Sequence, residues 1–599
     1  MFRSGTSDTD SHKSDDATVA PYAVNLINTI ASNSCGSSIL RTKTNQSELS
    51  RIISAIKDDR QQDDQEYENY KDRNQPESIL INQLDLVSRH TSRNDLESNI
   101  IVGGEKDKVD EQEETLLDDG PPLDGGFAWV IAICAMLSVF ATWGANAGYG
   151  VFLNFYLDSN SFPGATQYDF ALIGGLVVFF AQFLAPISAF AYKIFGFKAV
   201  SIVGIVVQTA GYILSSFATQ IWQLYLTQGV MVGVSFSLIF LPATLVLPTW
   251  FDKRRATAMG ICVAGAGLGG LIFSLSVNRV IQQTGDQRWA LRMCGLVALA
   301  ASAFSTILMK PRNYKALPFS QTLKKDFLVE NIKIIFDMTV FKNYALVALA
   351  VWFALALLGY TLMLFSLASY ANSVGLSHQQ GSDLTAILNA AQIVGRPLMG
   401  MSADYIGRTN MTTTFSFLIS ILIYAFWINA KTYGALIGLS VVLGLIVGVG
   451  SSMAQPVASD ILDETPAMLP AAWSGMNIFV SFFCLVAEVI ALSLVKKGPS
   501  PYLHTQIFAG SCFFACFIVM LVIREWFIRR TLKRRLAATQ SRISKKQRRE
   551  KGYLTTDALE PTEDPESLEI LQERVERYDK LLRPSPLAFV LRTVYPIRV

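Results

Sequence analysis

Long apolar blocks fill the chain between residues 127 and 528, and each is close to the length of a membrane-crossing helix. A helix needs roughly 20 apolar residues to cross the hydrocarbon core of a bilayer. Short polar breaks separate twelve such blocks, at 127–150, 169–192, 199–217, 222–248, 257–278, 290–309, 345–370, 383–402, 412–429, 434–458, 468–494 and 504–527. Only 17% of the residues are charged, whereas about a quarter are charged in soluble proteins. The sequence therefore predicts an all-α membrane protein with twelve transmembrane helices.

The basic residues indicate how these helices cross the membrane. The loops after the second, fourth, sixth and eighth blocks carry basic residues, namely Lys193 and Lys198, the run 252–255, the linker 310–343 and Arg408. Lysine and arginine accumulate on the cytoplasmic side of membranes, so both termini are predicted to be cytoplasmic. Three features depart from this rule: Arg279 and Arg288 on the predicted outside, and the acidic loop 459–465 on the predicted inside. The expected location is the plasma membrane, with a vacuolar or other internal membrane left open.

The polar and apolar stretches divide the chain into five parts. These are an N-terminal tail (1–123), a six-helix half (124–309), a cytoplasmic linker (310–343), a second six-helix half (344–528) and a C-terminal tail (529–599). Both tails are expected to be cytoplasmic and disordered, because the N-terminal one in particular lacks the apolar residues needed for a core. The C-terminal tail opens with a basic run at 529–551, which suits the anionic lipids of an inner leaflet. The same run could instead serve only as a topology signal.

An internal repeat links the two halves. Pro186 precedes Gly196 by ten residues at the end of the second block, and Pro397 precedes Gly407 by ten at the end of the eighth. Duplicated halves are common in transporters. This correspondence, with the polar linker between the halves, indicates two six-helix pseudo-repeats.

The loop after the eighth block, "GMSADYIGR", matches the pattern G-x-x-x-D-x-x-G-R and resembles the loop motif of the major facilitator superfamily. The resemblance implies that four of its residues form a conformational latch rather than a substrate site: Gly400, Asp404, Gly407 and Arg408. A carboxylate at position 404 can accept hydrogen bonds from helix N-termini or basic residues of the other half. In the first half the acidic position is Lys193, so that copy of the motif is degenerate.

Two further motifs resemble the monocarboxylate-porter family over residues 124–528. They are "LDGGFAWV" at 123–130, with Asp124, Gly125 and Gly126, and "WFDKRRATAMGICVAGAGLGG" at 250–270, with Lys253, Arg254 and Arg255. An aspartate at a helix N-terminus complements the helix dipole, and spaced glycines allow two membrane helices to approach closely. Positive-inside topology accounts for most of the basic run.

Arg396 lies among apolar residues of the eighth block. Burying an arginine in a membrane costs about 3 kcal/mol on insertion scales, so such a residue is a candidate for function. The porter family carries an arginine before a proline in this helix, and Arg396 precedes Pro397 here. The resemblance implies that Arg396 contacts a substrate carboxylate, which a guanidinium can bind bidentately. Two charged residues of the family pattern are missing. The aspartate four residues earlier is Gln392, and the first-helix lysine falls on Ala147, which puts proton coupling through that pair in doubt.

Other polar residues in the apolar blocks complete the candidate site. Asn389 and Gln392 share a helix face with Arg396, and the remaining candidates for substrate binding are Asn146, Tyr149 and Tyr360. Any of them could instead make a hydrogen bond between packed helices. Glu488 is the other deeply placed carboxylate, and we hypothesise that it carries the coupling proton or neutralises Arg396. A purely structural glutamate is an equal alternative.

Together these features predict a secondary transporter that moves a small organic anion or carboxylate-like solute by rocking its two halves, with protons as a candidate coupling ion. The missing charges and long tails resemble the fungal branch of the family, so a facilitator of a vitamin such as riboflavin is one alternative. A non-transporting nutrient sensor is another. The chain shows no nucleophile–base pair, metal-ligand cluster or phosphate loop, which argues against an enzyme, a cofactor and a metal. Its net charge of +2 gives no reason to expect nucleic acid, and the sequence identifies no accessory protein.

Overall fold

The computed structural model describes residues 121–159, 161–312, 324–496, 498, 500–550 and 568–594. Every regular element among these residues is helical. The predicted N-terminal tail, 1–123, lies almost entirely outside them.

Twelve helices correspond to the twelve apolar blocks. The first half contains α1 (Gly126–Leu153), α2 (Gln167–Phe183), α3 (Ala185–Ser215), α4 (Ile221–Trp250), α5 (Arg255–Thr284) and α6 (Gln287–Leu308). The second half contains α7 (Tyr344–Ser373), α8 (His378–Ile406), α9 (Arg408–Trp427), α10 (Tyr433–Ile461), α11 (Leu469–Ser493) and α12 (Leu503–Glu550). Among the described residues ten helices are long and apolar enough to cross a membrane, and the two exceptions are the short α2 and the more polar α8. The predicted all-α membrane fold is confirmed.

The boundary between the second and third crossings differs from the predicted blocks. Pro186 has no N–H and its ring crowds the carbonyl four residues earlier, so α2 ends at Phe183 and α3 begins at Ala185. The chain turns only at Gly196, whose φ is 77°, inside the range assigned to α3. Gly407 adopts a φ of 114° at the matching turn between α8 and α9. Both glycines of the internal repeat therefore occupy a backbone conformation that side chains disfavour.

Helix α5 lies between the two halves and packs against both α1 and α8. A Cβ atom at Gly144 of α1 would lie 2.6 Å from the Cα of Gly269, and one at Gly267 would lie 2.7 Å from the carbonyl oxygen of Asn389 in α8. Such distances are too short for a real Cβ. The glycines of α5 thus allow backbone-to-backbone packing on two sides, the close approach that membrane helices achieve with small residues.

The described residues of the C-terminal tail are not disordered, which corrects the prediction for 529–599. Helix α12 continues through the basic run to Glu550, and two further helices follow, α13 (Leu568–Leu582) and α14 (Pro586–Val594). Leu571, Tyr578 and Leu581 are buried on one face of α13, which packs against α12. The amphipathic face of α13 is thus covered by α12, a contact that the composition of the tail alone does not reveal.

The acidic loop that departed from the charge rule is paired with the basic extension of α12. Arg530 lies 3.1 Å from Glu464 and donates a hydrogen bond of 3.1 Å to the carbonyl of Ile461, at the end of α10. Arg534 also pairs with Glu464. The hydrogen bonds from Arg534 and Arg530 lower the pKa of Glu464 below its usual value. The acidic loop thus pairs with arginines of the tail, and this pairing accounts for its exception to the charge rule.

Candidate functional site

Arg396 lies on α8 and is almost fully buried, with 3% of its surface exposed. Its Nη2 donates to the side-chain oxygen of Gln392 at 2.5 Å, and its Nη1 donates to the carbonyl of Val263 in α5. Its Nε has no hydrogen-bond partner among the described residues. No described carboxylate lies within ion-pair distance of it. Among the described residues, Arg396 is therefore a buried cation that two carbonyl oxygens contact and no carboxylate neutralises.

Three of the other predicted site residues gather around this guanidinium. Gln392 accepts from the hydroxyl of Tyr360 on α7 at 3.3 Å and donates to the side-chain oxygen of Asn389 at 3.3 Å. Asn389 and Gln392 are buried, and Tyr360 is half-buried. The structure thus brings Tyr360, Asn389, Gln392 and Arg396 together in one polar cluster, which we call the arginine cluster. Its amide and hydroxyl groups can both donate and accept hydrogen bonds.

Two small residues give the arginine cluster its shape. A Cβ at Gly448 would lie 2.6 Å from the Nε of Arg396, so the arginine passes directly over a break in α10. A Cβ at Gly270 would lie 3.0 Å from the Cβ of Ala147 and 3.1 Å from the side-chain nitrogen of Asn389. Ala147, where the porter family carries a lysine, therefore lies beside the cluster. Sequence reasoning missed Gly448, although the closely spaced glycines of α10 could have suggested a close contact.

The remaining polar candidates lie elsewhere. Asn146 is half-buried, and its side chain forms no hydrogen bond with a described residue. Tyr149 donates to the carbonyl of Phe170 in α2 at 2.8 Å, and its ring lies with the carboxylate of Glu488 around Gly174. Tyr149 therefore belongs with Glu488 and not with the arginine cluster.

Glu488 is buried, with 6% of its surface exposed, and its carboxylate forms no hydrogen bond or ion pair with a described residue. It lies nineteen residues after Leu469, the first residue of α11, which is roughly 28 Å along the helix. Arg396 lies ten residues before Ile406, the last residue of α8, which is roughly 15 Å from the same end of the bundle. The two charged groups thus lie at different depths, and the predicted neutralisation of Arg396 by Glu488 is absent from this conformation.

The motif residues meet at one end of the bundle, where α4 leads into α5 and α8 leads into α9; we call it the latch end. Asp404 accepts hydrogen bonds from the backbone amides of Ala256 at 3.2 Å and Thr257 at 2.7 Å. No side chain of its own segment caps α5. The carboxylate of one half therefore caps the first turn of a helix in the other half, the arrangement that favours an anion at a helix N-terminus. Gly400 makes this possible, since a Cβ there would lie 2.7 Å from the Cα of Thr257.

Arg408 extends this contact. Its guanidinium lies 2.9 Å from Asp404 and 2.5 Å from Asp460 at the end of α10, and it donates to the carbonyl of Lys253 at 3.3 Å. Arg255 donates to the hydroxyl of Ser459 at 2.9 Å, which adds a second link between the halves. Asp460 was not among the predicted site residues, although the acidic loop that contains it was noted as an exception to the charge rule.

The first-helix motif also binds this region, but within its own half. Asp124 adopts a φ of 56°, and its carboxylate accepts from the backbone amides of Lys253 at 3.1 Å and Arg254 at 3.2 Å. Its own amide donates to the carbonyl of Trp250 at 3.0 Å. Asp124 therefore holds the turn before α5, and the dipole that it complements is that of α5 as well as that of α1. Gly125 is tightly packed against the preceding turn, because a Cβ there would lie 2.9 Å from the carbonyl oxygen of Pro122.

Further hydrogen bonds join the two halves at the latch end. Gln455 of α10 donates to the carbonyl of Thr244 in α4 at 2.8 Å, and Trp473 of α11 donates to the hydroxyl of the same threonine at 3.3 Å. With the contacts of Asp404 and Arg408, these bonds link α4 and α5 to α8, α10 and α11. The two halves are therefore closed against each other at the latch end.

Comparison with known proteins agrees with this architecture. The family model for the Major Facilitator Superfamily matches residues 129–487. The uncharacterized transporter ESBP6 of Saccharomyces cerevisiae is 40% identical over 87% of this chain and 76% of that protein. The probable transporter MCH2 of the same yeast is 31% identical over 68% of this chain and 84% of that protein, and the aspyridones efflux protein apdF of Emericella nidulans is 28% identical over 65% and 76%. The chain therefore belongs to the major facilitator superfamily of membrane transporters.

Proposed function

We propose that the chain is a secondary transporter of small organic anions, and that the arginine cluster binds the anionic group of the cargo. The observation that carries this proposal is the state of Arg396, a buried guanidinium without a carboxylate partner and with an unused Nε–H. An isolated charge in a low-dielectric interior is costly unless it is compensated. An anionic substrate supplies the missing charge, and a carboxylate fits the planar donor pattern of arginine.

The neighbours of Arg396 add selectivity to this charge. Gln392 already orients one face of the guanidinium, while Tyr360 and Asn389 offer a hydroxyl and an amide next to it. A cargo with a carboxylate and a nearby hydroxyl or carbonyl would satisfy more of these groups than a simple anion would. The resemblance to monocarboxylate porters, carried by Arg396–Pro397 and the motifs at 123–130 and 250–270, supports the same class of substrate.

The transport cycle is proposed to be a rocking of the two halves. Asp404, Arg408 and Arg255 link the halves at the latch end, so this conformation closes that end and the opposite conformation would break these contacts. Alternating access around a fixed central site is the general mechanism of such duplicated folds. We place the latch end in the cytoplasm and the protein in the plasma membrane, on the distribution of basic loops.

Glu488 is the proposed site of the coupling proton. Its carboxyl group is buried between α1, α2 and α11, and no described residue compensates its charged form. Protonation would neutralise this carboxyl group, and the proton could then be carried across with the cargo. Because the usual aspartate and lysine are Gln392 and Ala147 here, proton coupling would follow a different route from that of the porter family.

Export of a larger metabolite is a second candidate function. The matching protein of Emericella nidulans is named for efflux of aspyridones, which supports an outward transporter of organic metabolites on the same fold. A facilitator of riboflavin is a third candidate function, suggested by the loss of the family's aspartate and lysine at Gln392 and Ala147. All three keep the arginine cluster as the binding site but differ in cargo and in direction.

The deciding experiment uses purified protein in sealed proteoliposomes with an internal pH dye. Lactate, pyruvate, acetate, larger carboxylates and riboflavin are offered with and without an inward proton gradient, and protein-free liposomes correct for passive entry of undissociated acid. We expect protein-dependent uptake of one carboxylate, lost in Arg396→Gln and weakened in Arg396→Lys. Arg279→Gln, which changes an exposed arginine of α5, should retain uptake. Equal uptake of a carboxylate by the Arg396→Gln variant would contradict the proposal.

A further inference from the structure

Helix α14 is fixed to α12 by one buried ion pair. Arg592 has no exposed surface, and its Nε donates to Glu525 at 2.8 Å. The backbone carbonyl of Arg592 accepts a hydrogen bond of 3.2 Å from Arg524. The guanidinium also donates to the carbonyl of Leu581, so it joins α12, α13 and α14 at one point. The position of α14 along α12 is therefore set at residues 524 and 525.

These two residues lie at the end of the predicted apolar block 504–527 of α12. Phe514, Ile518 and Val522 are apolar side chains of α12 with 44%, 48% and 52% of their surface exposed, as expected for residues that face lipid. Their spacing of four residues places them on one face of the helix, and Glu525 follows Val522 on that face. Arg592 therefore binds α12 on its lipid-facing side, directly beyond Val522, the last exposed large hydrophobic side chain of that helix.

The outward face of α14 is apolar. Leu587, Val590 and Leu591 are 69%, 49% and 51% exposed, and they lie three and four residues apart on one side of the helix. Ala588 and Arg592, four residues apart on another side, are buried against the rest of the protein, and Phe589 beside them is 41% exposed. A nine-residue helix with this division buries its polar contacts inward and presents aliphatic side chains outward. Exposed apolar patches of this kind mark surfaces that meet a partner or a membrane.

We propose that α14 is an interfacial helix whose outward apolar face is embedded in the lipid leaflet at the latch end. The occupant of this face is the acyl-chain region of the bilayer, because the helix is held on the lipid-facing side of α12 where that side emerges from the membrane. Amphipathic helices of this type lie parallel to the surface with their apolar side chains ~5–10 Å deep in the leaflet. Arg592 then fixes the hairpin of α13 and α14 to α12, while Leu587, Val590 and Leu591 fix it to the bilayer.

The test measures the depth of a fluorescent label at position 590. The described cysteines are all buried, so Cys35→Ser followed by Val590→Cys gives one accessible thiol for labelling. The protein is placed in nanodiscs of phosphatidylcholine with or without bromine on the acyl chains. A label at Ile518→Cys, on the lipid face of α12, is the positive control, and a label at Ile570→Cys is the negative control. Ile570 is 46% exposed and lies eleven residues before Leu581, roughly 16 Å along α13 from the ion pair.

Brominated lipid is expected to quench the labels at 590 and 518 by about half and to leave the label at 570 unchanged, because bromine quenches at the depth proposed for α14. A label at Leu591→Cys provides a second reading if the first variant folds poorly. Absence of quenching at 590 and 591, with quenching at 518 intact, would overturn the proposal. So would efficient quenching of the label at 590 by iodide in solution, which would leave this face open to a soluble partner instead.

Discussion

Asp404 in the second half accepts a hydrogen bond of 2.7 Å from the backbone amide of Thr257 in the first half, and a second of 2.7 Å from the threonine hydroxyl. One carboxylate therefore does across the interface what a local cap does for most helices. The strength of this contact depends on the relative position of the two halves, so any movement that separates α5 from α8 must first release it. This relationship leads to the first of four predictions.

Removing the charge of Asp404 is expected to loosen the first turn of α5. In Asp404→Asn the amides of Ala256 and Thr257 lose a charged acceptor, and hydrogen bonds to charged groups contribute about 1.5–3 kcal/mol. Hydrogen exchange of a peptide covering 253–258 should then be roughly tenfold faster. Asp383→Asn, which changes a carboxylate near the opposite end of α8, should leave that peptide unchanged. Unaltered exchange in Asp404→Asn would show that the cap does not hold the halves together.

Gly448→Ala is expected to disturb the arginine cluster without a change in charge. The added Cβ would lie 2.6 Å from the Nε of Arg396, and overpacking of a buried site costs about 1–3 kcal/mol. We therefore expect an apparent substrate affinity about tenfold weaker in the liposome uptake assay. Gly438→Ala is a matched control on the same helix, because a Cβ there meets nothing within 4 Å. Equal KM values for the two variants would show that Gly448 does not contribute to the binding site.

Glu488→Gln is expected to uncouple transport from the proton gradient. The amide keeps the shape of the buried side chain but cannot exchange a proton, so uptake should persist and lose its stimulation by an inward proton gradient. Glu464→Gln, at the latch end, should retain full stimulation. If Glu488→Gln shows the same uptake and the same pH dependence as the native protein, the residue is structural.

The contact between Glu464 and the α12 extension is expected to weaken in acid. Hydrogen bonds from Arg534 and Arg530 lower the pKa of Glu464 in the folded protein, so the pair stabilises the fold above the unfolded pKa of about 4.3 and is lost as the pH falls through the lower folded value. The native protein should lose apparent melting temperature as the pH falls below about 4.3, by a few degrees at most, since exposed ion pairs contribute little.

In Glu464→Gln this part of the acid dependence should be absent, and the melting temperature at neutral pH should be slightly lower. Glu569→Gln, which changes an exposed carboxylate on α13, serves as the control and should behave like the native protein. An identical acid profile for Glu464→Gln and the native protein would contradict the assignment of the shift to this contact.

Several parts of the architecture follow from the sequence because they depend on local rules. The apolar blocks specify the helices, and a glycine at the end of the second and eighth blocks specifies a turn, as the positive φ values of Gly196 and Gly407 show. The position of Arg396 with Gln392 and Asn389 also follows, since residues three and four apart share a helix face.

Contacts between distant segments were not predictable in the same way. Nothing local indicates that Gly448 must be small for Arg396, or that Tyr149 turns toward Glu488, because both depend on the packing of helices far apart in the chain. The ordered tail is another example: α13 buries Leu571, Tyr578 and Leu581, and it packs against α12, which continues to Glu550. Asp460 is an intermediate case. Its acidic loop was an exception to the charge rule and so indicated a contact with a basic residue, but the sequence did not identify Arg408 as that residue.

The glycine contacts between α5 and its two neighbours have a consequence for how this protein can vary. Every single-base change that replaces a glycine codon introduces at least a Cβ, and at Gly144, Gly267 and Gly400 that atom would fall within 2.7 Å of the backbone of another helix. Even alanine, the smallest replacement, would therefore clash with the neighbouring helix at these positions. Lineages that keep this transporter working are therefore expected to keep glycine at these three positions, even in descendants that carry a different cargo.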